Sequence, residues 1–204
     1  MGILVTGKAS SLGEGNLYPN GSLGDLKLSK LILLYKKTVA SRYRGISNDE
    51  INKSIAPGKY HVSPKIDGQI WFLISCDGQV IFANPRGKII SGKIPFVVEA
   101  TATIGSRSRG CTVVAGELFA LGKRPRVGDI TSMLGENGDV RRICFSAFDL
   151  LQGGDNQSPE CSEDYGERYS ALERLLEGGK RVKPIKTEVC TTAAEVSKLF
   201  SEWA

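Results

Sequence analysis

The sequence is poor in the residues that build metal centres and disulfide frameworks. Its 204 residues hold one histidine, His61, and an odd number of cysteines: Cys76, Cys111, Cys144, Cys161 and Cys190. None forms a Cys-x-x-Cys pair, so the pattern predicts neither a zinc site nor a disulfide framework, and a reducing cytoplasm is the expected compartment. Apolar runs are short; "LILLY" at residues 31–35 is typical of the longest and far below a bilayer span, so no membrane partner is expected. No basic start followed by an apolar core and a small-residue cleavage site occurs, which speaks against a secretory signal. Internal repeats and Pro/Ser-rich linkers are also missing. One folding unit, expected as a monomer, is the economical reading.

Basic charge is present in modest excess and is unevenly spread. The net charge is +5, with 24% charged and 41% hydrophobic residues, the balance of an ordinary folded protein. The basic residues cluster at Lys36-Lys37, Arg42 and Arg44, Arg107 and Arg109, Lys123-Arg124 with Arg126, Arg141-Arg142 and Lys180-Arg181. Such clusters suit a polyanion, because phosphate neutralisation supplies most non-specific nucleic-acid affinity. Two short N-terminal patterns are decoys. "GILVTGK" fits Gly-x4-Gly-Lys, but Ala9 stands where a P-loop needs Ser or Thr for magnesium, and almost no chain precedes it to form the strand. Met1-Gly2 with Thr6 fits a myristoylation pattern too loose to carry weight.

Periodicity divides the rest. Residues 1–22 are Gly-rich and aperiodic and read as an irregular lead. Leucines and lysines at helical spacing follow to about residue 40, and "SNDE" at residues 47–50 is a capping box. Residues 58–65 lead as a strand into Lys65. Residues 69–76 and 79–84 predict a hairpin around Asp77-Gly78. "PFVVEATATI" after Lys93-Ile94 predicts a helix with proline in its first turn. "CTVVAGELFAL" and "RRICFSAFDLL" predict two strands with the helical turn "GDITSMLG" between them. Tyr165, Tyr169, Leu172, Leu175 and Leu176 form a helical stripe ending at Gly178-Gly179. A strand over residues 182–189 and a last helix capped by Thr192 and Glu195 complete the pattern. The fold class expected is α+β, with antiparallel sheets flanked by helices.

The chemistry centres on "SPKIDG". An amine is a nucleophile only when neutral, and at an ordinary pKa near 10.4 fewer than about one lysine in a thousand is neutral at pH 7. Burial against Ile66 and Ile70, or a neighbouring cation, is what would activate Lys65. Gly68 allows close approach of a backbone or phosphate. Downstream come "NPRGK" with Arg86, "VVAGELFAL" with Glu117 and "FSAFDLL" with Phe148. They are spaced from Lys65 by successive intervals of 21, 31 and 31 residues, each on or just after an expected strand.

This ordered set resembles the covalent nucleotidyltransferase superfamily, and within it the ATP-dependent DNA ligases. The resemblance extends to "GKIPFVVEA" and "ERYSALERLL" and covers roughly residues 58–204. It implies a ligase-type (ATP-grasp-like) adenylation fold, with ATP and Mg²⁺ as cofactors and nicked DNA, or RNA, as partner. In that scheme Lys65 attacks the α-phosphorus of ATP, releases pyrophosphate and becomes lysyl-AMP. The AMP passes to a 5′-phosphate, and a 3′-hydroxyl displaces it to seal the strand. The nucleotide contacts implied are Lys65, Ile66, Asp67, Arg86, Glu117 and Phe148: Arg86 on sugar or phosphate, Glu117 on the ribose, Phe148 stacked on adenine. Asp67 and Glu117 are the implied metal carboxylates. Ile70 stands where DNA ligases carry an arginine, which keeps RNA ligases in view. The NAD-dependent ligases, an mRNA-capping guanylyltransferase and a non-catalytic nucleotide-binding module stay open beside them. The family's Glu-Gly and Lys-x-Lys strands are expected after the last helix, so residues 23–204 read as a partial adenylation domain, weakly active or inactive alone.

Overall fold

The computed structural model describes residues 4–40, 45–105, 110–122, 126–135, 138–153 and 162–203. The basic residues Arg42, Arg44, Arg107, Arg109, Lys123 and Arg124, and also Cys161, lie outside them. Eight strands form one sheet. In chain order these are β1 (Ser10–Leu12), β2 (Gly15–Tyr18), β4 (Gln69–Cys76), β5 (Gln79–Ala83), β6 (Ile89–Gly92), β7 (Cys111–Ala120), β8 (Ile143–Gln152) and β9 (Val182–Pro184). Their spatial order is β1-β2-β6-β5-β4-β7-β8-β9, antiparallel throughout except for the parallel pair β8–β9. A separate antiparallel pair joins β3 (Tyr60–Val62) to β10 (Glu188–Cys190). The helices are α1 (Leu26–Ala40), α2 (Ile51–Ser54), α3 (Pro95–Ile104), α4 (Val127–Met133), α5 (Tyr165–Leu175) and α6 (Ala193–Trp203). No helix among the described residues is long and apolar enough to cross a membrane.

The central strands read as continuous apolar runs because both faces of the sheet are covered. On one face Trp71, Leu73, Val114, Leu118 and Phe145 pack with Phe96, Val97, Ala100 and Ile104 of α3 and Leu172 of α5. The other face, with Phe72, Ile74, Ala115 and Ile89, packs under Leu28 and Ile32 of α1. Adjacent residues of β4 therefore belong to opposite core layers, as a two-residue period requires. Asp77 and Gly78 take φ of 49° and 79°. That pair of left-handed residues makes the tight hairpin whose twist matches the flanking strands.

Three expectations are corrected. Residues 4–22 are not an irregular lead. β2 pairs with β6, and the N–H groups of Gly21 and Ser22 donate to the carbonyls of Arg86 and Gly87 at 2.8 and 2.9 Å. The segment belongs to the sheet and buttresses the Arg86 turn. Next, residues 182–189 form two strands rather than one, β9 in the large sheet and β10 in the small one. The ladder of the first to β8 ends with the Ile185 N–H donating to the Ala147 carbonyl at 2.7 Å. Finally, Cys76 and Cys111 face each other across β4 and β7 with Cα atoms 4.2 Å apart and are joined as a disulfide. Only register could reveal that pairing.

Besides its backbone ladder, the parallel edge is held by one carboxylate. Glu99 of α3 accepts the consecutive backbone N–H groups of Lys180, Arg181 and Val182 on Oε1, at 2.7, 2.6 and 2.9 Å. Glu99→Ala leaves three donors without their charged acceptor. The expected cost is about 1.5–3 kcal/mol, read from urea unfolding. An unchanged midpoint would show that water replaces the carboxylate fully.

Candidate active site

Lys65 lies in the extended segment that leaves β3 of the small sheet and enters β4 of the large one. Both ends are fixed. The Ser63 hydroxyl shares a hydrogen bond of 2.9 Å with the Thr187 hydroxyl, and the Gly68 N–H donates to Glu117 Oε2 at 3.0 Å. Between them the chain alternates. Ile66 turns inward and packs against the core layer that contains Trp71, while Lys65 and Asp67 point outward and are exposed. The desolvating wall expected from Ile66 and Ile70 is thus not built around the amine in this structure.

Gly68 explains the closeness of this segment to β7. A Cβ there would stand 2.3 Å from the Leu118 carbonyl oxygen and 3.1 Å from Glu117 Oε2. Only a bare α-carbon lets the loop reach the Glu117 carboxylate. Ile70 and Glu117 are cross-strand partners, as are Glu117 and Ser146. Glu117 therefore stands on the sheet face that α1 covers further along, and Lys65 and Asp67 are both within its electrostatic range.

Burial pushes the Glu117 carboxyl above its ordinary value of 4.5. The Gly68 N–H and Lys65 pull it back, and Asp67 adds to the rise. A folded-state value above the unfolded one favours the protonated form in the fold. The resulting stability is fully present below the unfolded value and is lost as pH rises through the folded one. Glu117→Gln is accordingly expected to raise the melting midpoint at pH 7 and to lose that advantage at pH 4. Melts at the two pH values check this; an equal difference at both would contradict it.

Phe148 is presented by an irregularity that sequence alone did not show. In the β7–β8 ladder Ala115 faces Asp149 and the next pair is Gly116 with Ala147, so Phe148 is the extra residue of a β-bulge. A bulge re-aims a side chain that strict alternation would bury. Phe148 is accordingly half-buried and touches both core layers. Its carbonyl accepts the Tyr165 hydroxyl at 2.9 Å. Burial first, with Asp149 second, pushes that hydroxyl up to about 12, so it remains a donor.

Arg86 sits in the β5–β6 turn, which emerges at the same end of the sheet as Lys65. Asn84 Oδ1 accepts the backbone N–H groups of Arg86 and Lys88, both at 2.9 Å, and the Arg86 side chain is exposed. The structure thus gathers Lys65, Asp67 and Glu117 closely. Phe148 lies deeper, near Glu117 along the neighbouring strand, and Arg86 stands at the rim without an ion pair among the described residues. Two neighbours of Phe148 were given no role by the sequence reading: Asp149, only 5% exposed, and Tyr35, which hydrogen-bonds it. A lone carboxylate inside "FDLL" was the available signal, since a buried charge needs a partner.

Among the described residues no group of three or more His, Cys, Asp or Glu side chains converges as a metal cage. Asp67 and Glu117 offer two hard oxygen donors. That donor set fits Mg²⁺, which binds through one or two carboxylates together with water and substrate phosphates. A cleft of about 620 Å³ lies elsewhere, lined by Lys59, His61, Asp164, Glu167, Ser170 and Arg174. Its two carboxylates are balanced by Lys59 and Arg174, and none of the motif residues lines it.

No protein-family model matches the chain, and no curated protein is similar to it in sequence. Solved structures are similar in fold. The structure named Pmar-Lig_PreS3 matches 85% of this chain and 43% of its own, with a TM-score of 0.57 at 16% identity. The one named Pmar-Lig_Pre. matches 78% of this chain and 37% of its own, at 0.56 and 14%. Mycobacterial DNA ligase D complexed with ATP and MES matches 71% of this chain and 44% of its own, at 0.50 and 17%. The chain spans less than half the length of each. At these identities the likeness is one of fold: an antiparallel-dominated sheet flanked by helices, shared with part of each of these structures.

Proposed function

We propose that the chain is the adenylylating part of an ATP-dependent DNA ligase, with Lys65 as the nucleophile. The observation that carries this reading is the Lys65–Asp67–Gly68 loop hydrogen-bonded to Glu117, on a sheet face where a bulge presents Phe148. Lys65 Nζ forms a P–N bond to the α-phosphorus as the bond to the pyrophosphate oxygen breaks. The amine proton goes to solvent, and pyrophosphate departs. Glu117 holds the ribose hydroxyls and Phe148 stacks on adenine, a contact suited to an aromatic ring beside a flat base. Arg86 contacts sugar or phosphate at the rim. Asp67 and Glu117 would hold Mg²⁺, which would supply the charge neutralisation on the phosphates that phosphoryl-type transfer needs more than acid–base chemistry.

The acceptor in this reading is a nucleic-acid 5′-phosphate. Two basic clusters meet at the Lys65 end of the sheet, where the Arg181 guanidinium donates to the Arg141 carbonyl at 2.6 Å and the Arg141 side chain is 79% exposed. Arg141 is ion-paired with Asp139 at 2.8 Å and is exposed beyond that contact, which suits a phosphate backbone. Exchange of labelled pyrophosphate into ATP in the presence of Mg²⁺ tests the reading, because label returns only through a reversible enzyme–AMP. Exchange with ATP and not GTP is expected. Absence of exchange with both nucleotides in a protein that also carries the Glu-Gly and Lys-x-Lys strands contradicts the proposal, and exchange with GTP alone points to a guanylyltransferase.

A further inference from the structure

A ring that serves as a stacking platform must be held in plane before the base arrives, and a half-buried phenylalanine on a bulge has two faces to control. One face of Phe148 is already occupied. Tyr35, from α1, lies nearly parallel to it, with ring centroids 6.5 Å apart and planes inclined by 25°. Tyr35 is itself fixed at both ends. Its ring meets the fully buried Phe72 edge-on at 5.9 Å, and its hydroxyl donates to Asp149 Oδ2 at 3.0 Å.

Asp149 is the residue after Phe148 and would be a buried charge without compensation. Arg168 of α5 supplies it, with Nε to Oδ1 at 2.8 Å and Nη2 to Oδ2 at 3.3 Å. Arg168 Nη1 donates in turn to the carbonyls of Ser162 and Glu163 at 2.9 and 3.0 Å. A planar guanidinium gripping both carboxylate oxygens fixes the carboxylate plane, and with it the direction in which the Tyr35 hydroxyl is held. The chain of contacts runs from α5 through the bulge to α1 and ends on one face of the Phe148 ring.

We propose that Tyr35 is a positioning residue for base recognition: anchored by Asp149 and Arg168, it backs the Phe148 ring and leaves the opposite face oriented for adenine. This rests on the adenylyl-transfer reading, since it places a base on Phe148. It goes beyond that reading by assigning α1, which carries none of the motif residues, to nucleotide selection.

The test compares two ligands that share phosphates and differ in the base. ATP and inorganic tripolyphosphate are titrated against wild-type protein, Tyr35→Phe and Asp149→Asn. Tyr35→Phe keeps the ring and loses the anchor. It is expected to weaken ATP binding by about three- to tenfold, the range of one lost hydrogen bond, and to leave tripolyphosphate binding unchanged. Asp149→Asn retains an oxygen acceptor and is expected to act in the same direction. If Tyr35→Phe weakens both ligands equally, or neither, while wild-type protein prefers ATP, this proposal fails and the adenylyl reading stands. If wild-type protein shows no preference for ATP over tripolyphosphate, both fail. Urea midpoints on the same samples confirm that Tyr35→Phe remains folded.

Discussion

Lys65→Ala is expected to abolish covalent AMP formation, a loss of at least about a thousandfold, the scale on which removing a nucleophile acts. Lys65→Arg is expected to do the same, because a guanidinium keeps the charge but does not deprotonate to attack phosphorus. Stability is the useful control. Lys65 is exposed, and substitutions at such positions usually move folding free energy by no more than about 0.5 kcal/mol. Intact-mass measurement after incubation with Mg²⁺ and ATP reads the first effect, and urea unfolding reads the second. A Lys65→Ala protein that still gains an adenylyl group would transfer the nucleophile's role to another lysine.

Gly68→Ala is the second large effect, and it separates geometry from chemistry because it removes no functional group. The new methyl carbon would stand 2.3 Å from the Leu118 carbonyl oxygen, a backbone atom of a central strand that has little room to yield. The loop must withdraw instead, breaking the Gly68 to Glu117 hydrogen bond and shifting Lys65 away from the carboxylate. Overpacking of this kind costs about 1–3 kcal/mol. A displacement of about 1 Å at a reacting group costs about a hundredfold in rate. The rate of lysyl-AMP formation is expected to fall by that factor while the protein remains folded. A wild-type rate would mean that the loop is not held by this contact when it works.

How much of this was legible in the sequence depends on what kind of information each feature carries. The Asp77-Gly78 hairpin, the proline-led helix α3 and the Thr192–Glu195 cap are local signals, and all three stand in the structure. Thr192 Oγ1 accepts the Glu195 N–H at 3.3 Å, and the Glu195 carboxylate accepts the Thr192 N–H at 3.1 Å. The short strands toward the sheet edge were not legible. β2 and β6 are four residues long and lack alternation, and they exist because they pair with each other across a long stretch of chain. Register was likewise invisible: the Cys76–Cys111 pairing and the bulge at Phe148 depend on how β4, β7 and β8 align. Residue type beside a glycine drew attention to Lys65, and the resemblance of the ordered motifs to the ligases drew it to Glu117 and Phe148. What holds them, the Gly68–Glu117 bond and the Tyr35–Asp149–Arg168 chain, required coordinates.

The most direct measurement is to locate the adduct. Protein incubated with ATP and Mg²⁺ is digested, and the peptides are fragmented by mass spectrometry. The account predicts one adenylylated residue, Lys65, in the peptide that contains "SPKIDG". AMP found on a different lysine, or no adduct on any peptide of a protein that also carries the Glu-Gly and Lys-x-Lys strands, would contradict it.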